Sequence, residues 1–171
     1  AFGGRVMDDS VPKYLNSSDT PVFKKSRNLF ALNFARTSCA EEMILCEGYM
    51  DVIAMHAAGF TNAVATLGTA LTSEQARIMA RYTKKVLISY DSDAAGQKAA
   101  NRAIGILGEV GLDVRVLRLS GAKDPDEFLK KYGAEKFRAQ LSGSKSKFDY
   151  NMDTILARHD IMLPDEKIKA C

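Results

Sequence analysis

The chain has 171 residues, 46% hydrophobic and 26% charged, which is the composition of an ordinary globular protein with room for one packed domain and appendages. No apolar run reaches the roughly 18 residues of a membrane span, and the opening Ala1-Phe2-Gly3-Gly4-Arg5 does not resemble a signal peptide; without an initiator Met it reads as part of a longer, cytoplasmic protein. The net charge of +3 permits an anionic partner without demanding one.

Residues 1–40 read as irregular and basic. Arg5, Lys13, Lys24, Lys25, Arg27 and Arg36 stand against Asp8, Asp9 and Asp19, and Gly3-Gly4, Pro12, Pro21 and Asn16-Ser17-Ser18-Asp19 punctuate the segment as turns and short extended pieces. Lys13-Tyr14-Leu15-Asn16 sets a cation, a ring and an amide together, a mixture suited to phosphate and base contacts. The plainer reading is a loop that packs Tyr14 and Leu15 on the domain and leaves Lys13 solvated.

From Met43 the pattern becomes regular. Met43-Ile44-Leu45-Cys46 reads as a strand ending at Glu47-Gly48, and Tyr49 to Ala58 as a helix with Val52, Ile53 and His56 on its inner face. Ala63 to Thr66 is a second strand. Thr72-Ser73-Glu74-Gln75 is a capping box before a helix running to about Tyr82. Lys85 to Tyr90 is a third strand, followed by a helix from Ala94 to Val110. Asp113 to Leu119 is a fourth strand, and a helix is expected near Phe128 to Tyr132. The serine- and lysine-rich stretch Ser142 to Lys147 reads as a hinge, with a further helix from Phe148 to about His159. Strands alternating with helices at this spacing imply an α/β domain, a parallel sheet flanked by helices.

Cys39, Cys46 and Cys171 share no Cys-x-x-Cys spacing, so neither a disulfide framework nor a zinc site is legible. Acidic residues, by contrast, gather where the strands end. Glu47 closes the first strand, Asp91 and Asp93 the third, and Asp124 and Asp126 follow the fourth; Asp51 lies one turn into the first helix. Ligands of open parallel sheets bind at such strand ends. Strand periodicity would point Asp91 and Asp93 the same way if the extended geometry persists. Carboxylates this crowded repel one another, and their oxygen-only chemistry suits Mg²⁺ or Mn²⁺, with more than one ion expected. That is equipment for phosphoryl and nucleotidyl transfer. Each acidic residue also has a bland reading as a helix N-cap or a dipole partner. Gly48 and Gly96 follow carboxylate clusters where the backbone turns from strand into helix. No phosphate-loop lysine motif, dinucleotide fingerprint or nucleophile elbow is present.

Glu47-Gly48-Tyr49-Met50-Asp51, Asp91-Ser92-Asp93-Ala94-Ala95-Gly96 and Lys123-Asp124-Pro125-Asp126-Glu127 together resemble the Toprim domain of bacterial DnaG-type DNA primases. Gly3-Gly4-Arg5-Val6 and Pro12-Lys13-Tyr14-Leu15-Asn16-Ser17 resemble the segment preceding Toprim in that family. The resemblance implies metal-binding and catalytic roles for Glu47, Asp91 and Asp93, with Asp124 and Asp126 completing the metal site and Asp51 and Gly48 supporting it. It implies nucleotide or nucleic-acid contacts for Arg5, Lys13, Tyr14, Asn16 and Lys25. Ser92 and Ser26 stand where the family usually has glycine, which bears on loop geometry but removes no carboxylate or cation.

The division implied is the end of a basic N-terminal subdomain at 1–40, Toprim at 41–141, and the hinge and start of a helical subdomain at 142–171. The implied activity is DNA-templated synthesis of short RNA primers at the replication fork, by metal-dependent nucleotidyl transfer. The implied partners are single-stranded DNA template, nucleoside triphosphates and the RNA primer, with no membrane. Zinc would belong to a separate N-terminal domain and the replicative helicase to a separate C-terminal one, so this piece is expected to be inactive alone. Two rivals share the acidic strand ends: a Toprim nuclease or topoisomerase, and a receiver-like signalling domain phosphorylated on Asp91. A receiver carries its acidic pair on the first strand, whereas here Glu47 precedes the pair by two strands.

Overall fold

The computed structural model describes residues 1–6, 8, 10–12, 14–146 and 149. Two short strands, β1 (Gly3–Arg5) and β2 (Tyr14–Asn16), pair antiparallel as a ribbon. A 3₁₀ turn at Lys25–Arg27 and the one-turn helix α1 (Leu32–Ala35) lead into the main sheet. There β3 (Met43–Cys46), α2 (Tyr49–Ala57), β4 (Ala63–Ala65), α3 (Ser73–Met79), β5 (Lys85–Ser89), α4 (Ala94–Glu109), β6 (Asp113–Val116), α5 (Pro125–Ser142) and β7 (Lys145–Ser146) follow in order. The strand order is β4-β3-β5-β6-β7; the first four run parallel and β7 is antiparallel to β6.

Every residue of β3 is buried, as expected for a central strand covered on both faces. Period-two alternation sorts its side chains. Met43 and Leu45 pack with Val86, Ile88, Ala76, Met79, Ala103, Ile104 and Leu107 under α3 and α4. Ile44 and Cys46 pack with Leu87, Val52, Met55, Phe128 and Phe137 under α2 and α5. Thr72 caps α3 as its spacing predicts: its Oγ1 accepts from the Gln75 N–H at 3.2 Å, and Gln75 Oε1 accepts from the Thr72 N–H at 3.0 Å. The same Thr72 hydroxyl donates to the Ser26 carbonyl at 2.7 Å, which ties the basic segment to the sheet domain.

Several expectations shift. Ile53 does not face inward: it is 50% exposed, and Met55 takes the buried position. His56 is half-buried, its Nε2 2.9 Å from the Ala63 carbonyl. The helix before β5 ends at Met79, with turns continuing to Tyr82, and β6 ends at Val116 rather than Leu119. The last helix is longer than expected, and Gly133 at φ 79° breaks it. Lys145–Ser146, read as hinge, is an edge strand on β6, because Arg115–Val116 offers it an unpaired edge. The basic segment is irregular, yet Leu29, Ala35 and Cys39 are buried in the main core and Phe30 bridges to Ala65 with an N–H to O distance of 2.8 Å. The helix expected from Phe148 to His159 lies outside the described residues, Asp149 apart. Among the described residues the cysteines are free and buried, and no helix is long and apolar enough to cross a membrane.

Candidate active site

The sheet topology makes a crevice where the acidic residues stand. From β3 the chain passes through α2 to β4 on one side, whereas β5 lies on the other side of β3 and continues through α4 to β6. Because α2 and α4 cover opposite faces, the connections leaving β3 and β5 diverge, and the ends of those two strands open a cleft. Cys46 pairs with Ser89, so Glu47 and Asp91 leave adjacent strands nearly level. The Asp91 N–H donates to Glu47 Oε2 at 3.4 Å. The cleft holds about 1000 Å³, and its lining includes Glu47, Asp51, Asp91, Asp124 and Asp126 together with Arg5, Tyr14 and Asn16.

Asp91 is brought into place by a glycine. A Cβ on Gly96 would run into the Asp91 carbonyl, so only glycine lets the first turn of α4 sit against that backbone. Burial, then the neighbouring Glu47, Asp124 and Asp93, push the Asp91 carboxyl up to about 6. Asp51 is the most recessed of the acids, 8% exposed. It accepts from the Gly48 N–H at 3.3 Å and from the Asp126 N–H at 3.4 Å, bracketing the loop after β3 to the start of α5. Burial and the nearby Asp124 and Asp91 raise it to about 7, against the lowering effect of those two hydrogen bonds.

Asp93 and Asp124 also fill the bland role. Asp93 caps α4, its Oδ1 accepting from the Gly96 N–H at 2.7 Å, and Asp124 caps α5, its Oδ1 accepting from the Glu127 N–H at 2.8 Å. Asp93 is exposed and is not among the cleft-lining residues. Extended geometry ends at Ser89, so strand periodicity does not carry over to the pair Asp91 and Asp93. Ser92 adopts no left-handed backbone, which explains why serine serves where glycine was expected. Its N–H and hydroxyl both reach the Lys123 carbonyl, at 3.0 and 3.3 Å, and lock the β5 loop to the loop before α5. Ser26 is likewise unstrained, inside the 3₁₀ turn.

The N-terminal part of the lining is built on Tyr49. Its ring packs edge-on to Tyr14 with centroids 5.7 Å apart, and tilted on Phe30 at 4.8 Å. Its hydroxyl donates to Asn16 Oδ1 at 2.8 Å. Asn16 sits between Gly3 and Gly68: a Cβ on Gly68, at φ 72°, would lie 2.6 Å from Asn16 Nδ2. Arg5 lies over the Tyr14 ring at 5.8 Å. Lys25 is not in this cleft; it lines an adjoining cavity of about 540 Å³ that shares Arg5, Tyr14 and Asn16 with it. Lys13 lies outside the described residues.

Residue-by-residue reading missed Tyr49, Lys123, Lys130 and Lys131, all of which line the cleft. A signal for the last two was present: four-residue spacing puts Lys130 over Asp126 and Lys131 over Glu127 on a helix. The donors fit a hard divalent cation in chemistry, being carboxylate oxygens crowded enough to raise one another's proton affinity. Among the described residues no three His, Cys, Asp or Glu side chains are gathered tightly enough to hold one ion. Magnesium asks for less, since it takes one or two carboxylates together with waters and substrate phosphates.

Residues 44–129 match the family model described as Toprim-like, and residues 1–36 match the N-terminal domain of the DNA primase catalytic core. The chain is 50% identical over 153 residues to the DNA primase of Clostridium acetobutylicum, a match that takes in 89% of this chain and 26% of that protein. It superposes on the zinc-binding and RNA polymerase domains of Aquifex aeolicus primase with a TM-score of 0.82 at 43% identity, covering 91% of this chain and 39% of that one. A DnaG primase catalytic domain bound to single-stranded DNA gives a TM-score of 0.85 at 33% identity, covering 98% and 54%. The chain thus spans about a quarter of the length of the curated relative.

Proposed function

This chain belongs to the Toprim-like family, and on that premise we propose that it is the metal-binding part of a primase catalytic core, which makes short RNA primers on single-stranded DNA. The observation that carries the reading is the cleft at the switch point between β3 and β5, lined both by crowded carboxylates and by Arg5, Tyr14 and Asn16 of the basic segment. Glu47 and Asp91 would hold Mg²⁺ or Mn²⁺ together with waters and substrate phosphates, with Asp93 as a further carboxylate beside them. Such ions would neutralise the triphosphate and stabilise charge developing at the α-phosphate as a 3′-hydroxyl displaces pyrophosphate.

The chain's own residues bind and orient. Asp51 holds the Gly48 turn and the start of α5 in register, so that Glu47, Asp124 and Asp126 stay at one rim. Asn16, clamped by Tyr49 between two glycines, presents an amide edge at a fixed place, and Tyr14 offers a ring face for a base. Arg5, with Lys25 in the adjoining cavity and Lys13 beside Tyr14 in sequence, supplies phosphate contacts. A structural relative carries single-stranded DNA, and the same template class is proposed here. The division at 1–40, 41–141 and 142–171, and a helicase partner reached through a further domain, belong to the same proposal.

The test is Asp91→Ala in the full-length protein. Primer synthesis should fall below detection while the melting temperature in chelator stays within a few degrees of the parent. Retained synthesis would overturn the assignment of Asp91.

A further inference from the structure

The wall of the cleft made by α5 and the loop before it holds two lysines on two of the acidic residues. Lys123 Nζ lies 3.6 Å from Asp124 Oδ2, and Lys130 Nζ lies 2.6 Å from Asp126 Oδ2. In both pairs the lysine is the exposed partner, 73% and 72%, and the carboxylate the recessed one, 18% and 23%. All four side chains line the same cleft as Glu47 and Asp91. One pair joins sequence neighbours and the other spans a helical turn, so no single local spacing produces both.

Lys131 differs. It lines the same cleft, but its ammonium donates to the Gly121 carbonyl at 3.1 Å and lies over the Tyr132 ring at 5.2 Å. It carries the same charge as Lys130 and is not paired to an acid of the cleft.

Resting on the metal-dependent reading above, we propose that Lys123 and Lys130 are phosphate-binding residues parked on Asp124 and Asp126. On this view a divalent ion and a nucleoside triphosphate enter together and exchange the partners: the carboxylates turn to the cation and the ammonium groups to the phosphates. Exposed ion pairs of this kind are weak, so the exchange costs little. Both new partnerships set opposite charges of higher magnitude together, a divalent cation on the carboxylates and a polyanionic triphosphate on the ammonium groups, so each outweighs the single-charge pair it replaces. Lysine suits the task because its ammonium is a point charge on a flexible stem and can move between acceptors.

The test compares Lys130→Gln, Lys123→Gln, Lys131→Gln and Asp91→Asn in the full-length protein, reading Mn²⁺ binding by electron paramagnetic resonance with and without ATP. Lys130→Gln and Lys123→Gln should bind Mn²⁺ alone as tightly as the parent or more tightly, since a competing cation is gone. Each should lose about tenfold in affinity for Mn²⁺-ATP, the size of one charge-assisted contact. Lys131→Gln should lose much less. Equal losses from Lys130→Gln and Lys131→Gln would mean that only the summed charge matters, and would overturn the exchange. So would a parallel weakening of Mn²⁺ alone and Mn²⁺-ATP, or no loss of Mn²⁺-ATP. If the parent and Asp91→Asn bind Mn²⁺ equally, the metal-site reading falls first, and that outcome is distinguishable from failure of the exchange alone.

Discussion

Asp91 shows how one side chain's chemistry depends on backbone several residues away. Its proton affinity is raised first by burial and then by Glu47 and Asp124 beside it, while Gly96 lets the first turn of α4 sit against its backbone. A carboxyl raised to about 6 in the folded chain from an ordinary 3.8 favours folding when protonated. That contribution is complete below about pH 3.8 and is lost as pH rises through about 6; Asp51 adds a second loss through about 7. In chelator, Asp91→Asn should therefore melt at the same temperature as the parent near pH 4 and above it at pH 8. Thermal melts at the two pH values check this. With Mn²⁺ at a hundred times its dissociation constant the gap at pH 8 should narrow, because the parent gains about 2.7 kcal/mol by linkage and the variant does not. The acidic identities were legible in sequence because carboxylates at strand ends are conspicuous. Their division of labour was not: Asp93 and Asp124 turned out to cap helices, and that depends on where each helix begins to within one residue.

At the scale of elements, β3 and β5 were legible as short apolar runs, and α3 through its capping box. Thr72 does more than cap: its hydroxyl reaches Ser26, and the Gln75 amide reaches the Lys25 and Asn28 carbonyls at 3.0 and 2.8 Å. The basic segment is thus fastened to the N-terminus of α3. Thr72→Ala should cost about 1 kcal/mol as a cap and more through the freed Ser26 carbonyl. Chemical denaturation measures the loss, and quicker proteolysis between β2 and α1 would report the loosened segment. The misread elements share a cause. Lys145–Ser146 is a strand only because β6 offers an edge, and Ile53 is exposed although its neighbour Val52 is buried, because a short helix turns one stripe inward and the sheet chooses which. Tyr49 passed as an ordinary helical residue because its partners, Tyr14, Asn16 and Phe30, lie far from it in sequence.

For the whole molecule, the proposed function rests on one cleft in which a carboxylate cluster and its lysines meet a basic wall from the N-terminal segment, carrying Arg5, Tyr14 and Asn16. If the basic wall tracks a nucleic-acid backbone, binding of single-stranded DNA by the full-length protein should weaken linearly in log salt. Arg5→Ala should reduce the slope by about 0.7, the value of one phosphate contact on a single strand. Fluorescence anisotropy from low to moderate salt measures it, and an unchanged slope would take Arg5 off the DNA path. The sequence by itself determined the class of fold, the order of the helices and strands along the chain, and the carboxylates that end the strands, because periodicity and carboxylate placement are local properties. Only the tertiary structure decided that β5 lies beside β3 on the side away from β4. That order brings Glu47 level with Asp91 and opens the crevice between them. It also decided that the irregular segment brings Arg5, Tyr14 and Asn16 to the cleft, docked through Phe30 and Asn16 on Tyr49 of α2. Strand order and long-range docking follow from which apolar faces can be buried together, and that depends on all the elements at once.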